Sequence, residues 1–267
     1  MSNRIDNTFA TLNEDGKTAF IPYICAGDPS LDETAAILEA LHAANVDLIE
    51  LGIPFSDPLA DGPVIQSAAQ RALDAGATVP HVLNLIKNFR KTSNIPIVLF
   101  TYLNPVYTYG YEQFHHDAAA AGADGVLVLD LPPQEAEANR ELAESAELKH
   151  IRLIAPTTPP HRIPEITNTG DGFVYYVSRE GVTGERTSLS GNIEKQVATI
   201  KEHTNLPVAV GFGISTPEQA ASVAQAADGV VVGSAIVKTV SQHLDDPALA
   251  DKVGAFVKPL VEAVKSV

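Results

Sequence analysis

The sequence predicts an α/β fold, a (β/α)8 TIM barrel with extra helices, from three observations. Eight short apolar, β-branched runs recur along the chain, and Ala- and Glu-rich stretches with helical spacing separate them. Dividing 267 residues among eight units leaves about 33 per unit, the length of one βα repeat in a barrel. Strands alternating with helices pair in parallel through βαβ crossovers, and nearly continuous apolar runs belong to a sheet covered on both faces. A doubly wound sheet usually has five or six strands, so eight favours closure.

The first strand is 19–25 (AFIPYIC), with helical sequence at 33–44 (ETAAILEALHAA). The second, 47–53 (DLIELGI), precedes an interval long enough for two helices, 64–74 and 81–92. The third, 96–101 (PIVLFT), leads to a helix at 111–121, and the fourth, 125–129 (GVLVL), to one at 134–146. The fifth strand is 150–155 (HIRLIA); the sixth, 173–177 (FVYYV), precedes helical sequence at 192–203. The seventh, 207–211 (PVAVG), precedes 216–226, and the eighth, 229–232 (GVVV), is followed by helical sequence at 234–240 and 247–265. Small-residue stops such as Ala121-Gly122-Ala123 and Ala226-Ala227-Asp228 read as structural punctuation at the barrel end opposite the mouth. No Gly/Ser- or Pro-rich linker divides the chain, so 1–267 reads as one barrel domain.

Composition narrows the partners. With 18 Lys and Arg against 33 Asp and Glu, the net charge of −15 argues against nucleic acid or an anionic membrane surface, both of which need a basic patch. Apolar residues at 45% and charged residues at 19% are ordinary for a globular protein rather than a disordered one. Cys25 is the only cysteine, which excludes an intramolecular disulfide, disfavours a cysteine metal site and makes a reducing cytoplasm the simplest compartment. No run approaches the length of a membrane span, and the first twenty residues, with Arg4, Asp6, Glu14, Asp15 and Lys17, hold no signal-peptide core. His115 and His116 are adjacent on a helix and diverge, and no His-x-x-x-His pair occurs, so no metal site is expected. Neither a nucleotide-binding P-loop nor a Gly-x-Ser-x-Gly elbow is present.

The strongest local signal runs from Leu48 to Pro63 (LIELGIPFSDPLADGP). Side chains alternate along a strand, so if Ile49 and Leu51 face the helices, Glu50 enters the lumen near the mouth. A carboxylate there is partly desolvated, which raises its pKa toward values useful for proton transfer; the other reading is a carboxylate paired with a buried cation for stability. The long loop that follows has the character of a lid or binding loop. Asp61 stands just before Gly62-Pro63, where it would either cap the next helix or serve chemistry. Asp57 lies in Ser-Asp-Pro, a turn sequence. Three glycine-bearing loops follow the last three strands: 178–184, 211–215 and 233–235. Glycine lets backbone N–H groups approach an anion, a helix N-terminus adds positive potential, and barrels commonly bind phosphate after strands 7 and 8. A phosphate-bearing ligand is expected there.

The 48–63 run resembles the signature of the tryptophan synthase α subunit family. Further similarity lies in Gly27-Asp28-Pro29, Tyr102 and Asn104, Ser178-Arg179 with Gly181-Val182-Thr183-Gly184, Gly211-Phe212-Gly213-Ile214-Ser215 and Gly233-Ser234-Ala235-Ile236-Val237, spanning nearly the whole chain in order. The resemblance implies a lyase that splits indole-3-glycerol phosphate by a retro-aldol reaction into indole and glyceraldehyde 3-phosphate. It places Glu50 on the family's acid/base and Asp61 on the carboxylate that meets the indole N–H. It further implies phosphate contacts from Gly184, Gly213, Gly233 and Ser234, a closing contact from Thr183 to Asp61, and a role for Tyr175 beside the substrate or Glu50. Tyr23, Phe100, Leu127 and Phe212 would line the indole pocket; Phe100 stands where an aliphatic residue is commoner, and Tyr23 where Phe is. The partner implied is a β subunit carrying pyridoxal phosphate in an α2β2 assembly, faced by the loop 54–63, particularly Pro54 and Asp57, together with Asn104 and its neighbours, while this chain needs no cofactor of its own. Two other functions compete: a stand-alone indole-glycerol-phosphate lyase releasing free indole, and a non-catalytic regulator that binds glycerol phosphates.

Overall fold

A computed structural model describes residues 3–177, 186–211 and 213–267. Nine strands, β1 (Ala19–Cys25), β2 (Ile49–Gly52), β3 (Ile97–Thr101), β4 (Gly125–Val128), β5 (Lys149–His150), β6 (Arg152–Ile154), β7 (Val174–Val177), β8 (Val208–Gly211) and β9 (Gly229–Val232), form one sheet in the order β5-β4-β3-β2-β1-β9-β8-β7-β6. Every pairing is parallel. The sheet's two ends are neighbours in sequence. The N–H of Ile151 donates to the Val126 carbonyl at 2.9 Å, extending the ladder with β4, while Arg152 pairs with Val174 on β7. The fifth strand expected from sequence is therefore one run that changes partner at Ile151, and that change closes an eight-strand barrel.

Nine helices of the outer layer match the helical stretches of the sequence: α2 (Leu31–Ala43), α3 (Pro63–Asp74), α4 (Val79–Phe89), α6 (Tyr111–Ala121), α7 (Pro133–Ser145), α9 (Arg186–Lys201), α10 (Pro217–Ala224), α11 (Ser234–Ser241) and α12 (Leu249–Lys265). Strand alternation sorts the core into two shells. Ile49, Leu51, Leu99, Val126, Val174 and Val210 point outward into the shell beneath the helices. Leu48, Val98, Leu127, Ile151, Phe173, Ala209 and Val231 fill the lumen.

Three further elements escaped the sequence reading: α1 (Arg4–Glu14), α5 (Leu103–Tyr109), and a 3-10 turn (Pro160–Arg162) running into α8 (Ile163–Thr167). In α1 the spacing of Ile5, Phe9 and Leu12 puts all three on one face, and Asn3 caps the helix by accepting the Ile5 N–H. That face packs into the lumen shell, with the Phe9 and Phe173 rings 5.5 Å apart, so α1 stops the N-terminal end of the barrel. Arg4 and Arg90 both reach the buried Asp124 at 2.8 Å, tying this stopper to the frame. Among the described residues, no helix is long and apolar enough to cross a membrane.

Candidate active site

β2 delivers Glu50 into the lumen because its neighbours Ile49 and Leu51 are claimed by the helical shell. Its Cα partners are Tyr23 on β1 and Val98 on β3. The side chain is fully buried and neither carboxylate oxygen has a hydrogen-bond partner. No ion pair with a buried cation is formed among the described residues, so that alternative for Glu50 is not realised. Burial pushes its pKa up to about 8, since nothing offsets the desolvation of the charged form. An unpaired buried carboxylate opposes folding, and such groups cluster where proton transfer is needed.

The loop after β2 brings Asp61 over the same lumen. The Asp61 N–H donates to the Pro58 carbonyl, and Gln66 holds the Asp61 carbonyl from within α3. The N-cap of α3 is Gly62, with Pro63 in the first turn and no side-chain cap, so the Asp61 carboxylate is not spent on the helix end. It accepts instead from the Tyr102 hydroxyl at 3.0 Å, and that hydroxyl in turn accepts the Ala60 N–H at 3.0 Å. Burial raises the Asp61 pKa, and the Tyr102 hydrogen bond works against that rise. Tyr102 thus braces the loop. The sequence matched it by motif and assigned it no role.

Both carboxylates line one cavity of about 780 Å3 at the C-terminal mouth. Its aromatic wall is Tyr23, Phe100 and Tyr175: the Phe100 ring meets Tyr23 edge-on at 5.1 Å and Tyr175 at 6.4 Å. Leu127 departs from expectation. It is fully buried in the lumen shell and does not line the cavity, whereas Leu129 and Leu153, each two residues further along the same strand face than Leu127 and Ile151, do.

Opposite the carboxylates, Gly213, Gly233 and Ser234 line the cavity. Gly213 adopts φ +63, a conformation favouring glycine. Gly233 is the N-cap of α11 and supplies no side-chain cap, so the first N–H groups of that helix remain available to an anion. The neighbouring α10 differs, since Thr216 caps it by accepting the Gln219 N–H. No lysine or arginine is among the described residues lining the cavity. Without a lysine, the described lining also lacks the amine that would form an imine with pyridoxal phosphate. Among the described residues, no group of His, Cys, Asp and Glu could hold a metal ion. Thr183, Gly184 and Phe212 lie outside the described residues.

Of the residues assigned to a partner surface, Asp57 and Asn104 are exposed. Pro54 is buried within this chain, at the root of the loop. Two residues stand out beside Asp57 and Asn104, one in the loop 54–63 and one near Asn104 in the chain. Leu59 is 91% exposed and Tyr107 is 75% exposed, an unusual state for large apolar side chains.

A family model described as tryptophan synthase alpha chain matches residues 9–265. The chain belongs to the tryptophan synthase alpha chain family. It is 49% identical over 265 residues to the tryptophan synthase alpha chain of Geotalea uraniireducens (strain Rf4), covering 99% of both chains. It is 50% identical over 239 residues to that of Geotalea daltonii, covering 90% of each. The crystal structure of tryptophan synthase subunit alpha from Legionella pneumophila str. Paris superimposes with a TM-score of 0.93 at 39% identity, covering 100% of both chains. Like the rest of that family, this chain is a carbon–carbon lyase of tryptophan biosynthesis that cleaves indole-3-glycerol phosphate to indole and glyceraldehyde 3-phosphate. Membership implies a β subunit as partner.

Proposed function

We propose that Glu50 carries the protons of this cleavage and Asp61 the charge it generates. The observation behind the assignment is one cavity holding two carboxylates, one of them with both oxygens unpartnered. With a pKa near 8, Glu50 enters the reaction protonated at neutral pH. It donates that proton to indole C3, and positive charge appears at the ring N–H, where the Asp61 carboxylate stabilises it. The Glu50 carboxylate then takes the proton of the hydroxyl on the adjoining carbon. The C3 to carbinol bond breaks, its electrons return to the ring, and glyceraldehyde 3-phosphate leaves with Glu50 protonated again. The amides at Gly213, Gly233 and Ser234 hold the phosphate, and Tyr23, Phe100 and Tyr175 flank the ring; the family resemblance assigns Gly184 to the phosphate, Thr183 to an Asp61 contact and Phe212 to the indole.

The pH dependence follows in sign. Glu50 must start with its proton, so kcat/KM falls as pH rises through about 8. Asp61 must be ionised, and its raised pKa brings the acid limb to higher pH than an ordinary aspartate would give. A bell-shaped profile is expected. One that stays flat to pH 10 rejects Glu50 as the acid. Asp61→Asn removes the charge facing the ring nitrogen while keeping a partner for Tyr102, and kcat should fall about 100-fold. A loss under threefold would show that Asp61 does not meet the developing charge.

The chain is read as one barrel domain over 1–267 acting in the cytoplasm, without a cofactor of its own and with pyridoxal phosphate on the β subunit. Exposed Leu59 and Tyr107, beside Asp57 and Asn104 in the sequence, favour an α2β2 assembly over a stand-alone lyase. Turnover measured with and without the β subunit tests it, since equal activity alone would favour the stand-alone enzyme.

A further inference from the structure

We propose that the Tyr23 hydroxyl is a substrate-directed donor that recognises a hydroxyl of the three-carbon chain between phosphate and ring. The inference rests on the assignment of this cavity to indole-3-glycerol phosphate and adds a specificity residue to it.

The position of the ring carries the argument. Tyr23 lies on β1, whose neighbours in the sheet are β9 on one side and β2 on the other, and β9 leads directly into Gly233. A methyl group placed on Gly233 would sit 3.4 Å from the Tyr23 Cβ and 3.6 Å from its Cδ1. At the other end of the side chain, a methyl on Gly52 would fall 2.3 Å from the hydroxyl oxygen, so only glycine at 52 leaves the phenol its place. The ring therefore reaches from the uncapped N-terminus of α11 to the strand position one layer above Glu50. A substrate with its phosphate at the first and its reacting carbon at the second must lay its connecting chain along this path, and that chain carries two hydroxyls.

The hydroxyl is also unspent. Tyr23 is 7% exposed and lines the cavity, and its hydroxyl makes no hydrogen bond among the described residues. Once substrate fills the cavity, the group must bond to the ligand or be left desolvated without a partner. The apolar neighbour Phe100 offers its ring and no acceptor. Tyr102, behind the wall, is already engaged by Asp61 and Ala60, and Tyr175, the other phenol lining the cavity, stands across the Phe100 ring with its hydroxyl beside Gly211 rather than on the path from Gly233 to Gly52.

Tyr23→Phe in the full chain, assayed with its β subunit, removes only the oxygen. The probe for comparison is 3-(indol-3-yl)propyl phosphate, which keeps ring and phosphate but has no chain hydroxyls. The expected result is a loss of about tenfold in kcat/KM for indole-3-glycerol phosphate, the size of one hydrogen bond, with the inhibition constant of the deoxy compound changed less than twofold. Equal losses on both ligands would assign the residue to pocket shape and overturn the proposal, as would an unchanged kcat/KM. If the unmodified chain fails to cleave indole-3-glycerol phosphate in the same assay, the cavity assignment fails instead.

Discussion

Glu50→Gln should lower the release of indole by about 10^3- to 10^4-fold, because one carboxylic acid serves both the protonation of C3 and the deprotonation of the hydroxyl, and an amide does neither. The same substitution should make the protein more stable. Glu50 has an ordinary pKa of 4.5 when exposed in the unfolded chain and about 8 in the folded one. The folded state therefore holds a proton that the unfolded state releases, and stability is lost as pH rises from about 4.5 to about 8. At pH 7 the cost is about 3 kcal/mol as an upper bound, and glutamine, which does not titrate, is free of it. Urea unfolding of both forms at pH 5 and pH 8 should show the gap in favour of the variant widening with pH. Retained turnover would remove Glu50 from the mechanism; a constant gap would show that the side chain is not held protonated.

Asp124→Ala should be the most damaging change away from the mouth. The carboxylate accepts from Arg4, from Arg90 and from the Ile97 N–H, each at 2.8 Å, and so fastens α1, the end of α4 and the start of β3 to one point. Arg90 has only 10% of its side chain exposed, so removing its partner leaves a largely buried charge held by backbone carbonyls alone, without a counter-ion. The expected loss is about 3–5 kcal/mol, seen as a lower urea midpoint. Asp124→Asn, which still offers an acceptor to Ile97, should lose less. The active-site mouth lies at the other end of the barrel, so kcat measured well below the unfolding transition should remain near that of the unmodified chain. An unchanged midpoint would mean that the network adds nothing to stability.

Legibility differed from residue to residue for physical reasons. The direction of Glu50 followed from its own strand, since two flanking aliphatics settle which face is which. Asp61 could not be settled that way. What separates helix capping from chemistry is the hydroxyl of Tyr102, 41 residues further on, and only the folded barrel brings the two together. The depth of Leu127 was equally hidden, because periodicity assigns a face but not a layer. That layer depends on how neighbouring strands are staggered. Helix α1 was missed because three apolar residues in a polar stretch say little until the hollow they fill is known. The fifth strand read as one element because its sequence is uniform, and its change of partner at Ile151 comes from closure of the sheet rather than from any local signal.

The stopper formed by Ile5, Phe9 and Leu12 has a consequence for traffic. Among the described residues, a barrel sealed below is a blind cup, with no rear exit for a small flat product such as indole. Whatever enters must turn back through the same rim, past Leu59 and the loop that bears Asp61. A protein seated over that rim therefore decides by its own shape whether the product escapes to water or is handed across.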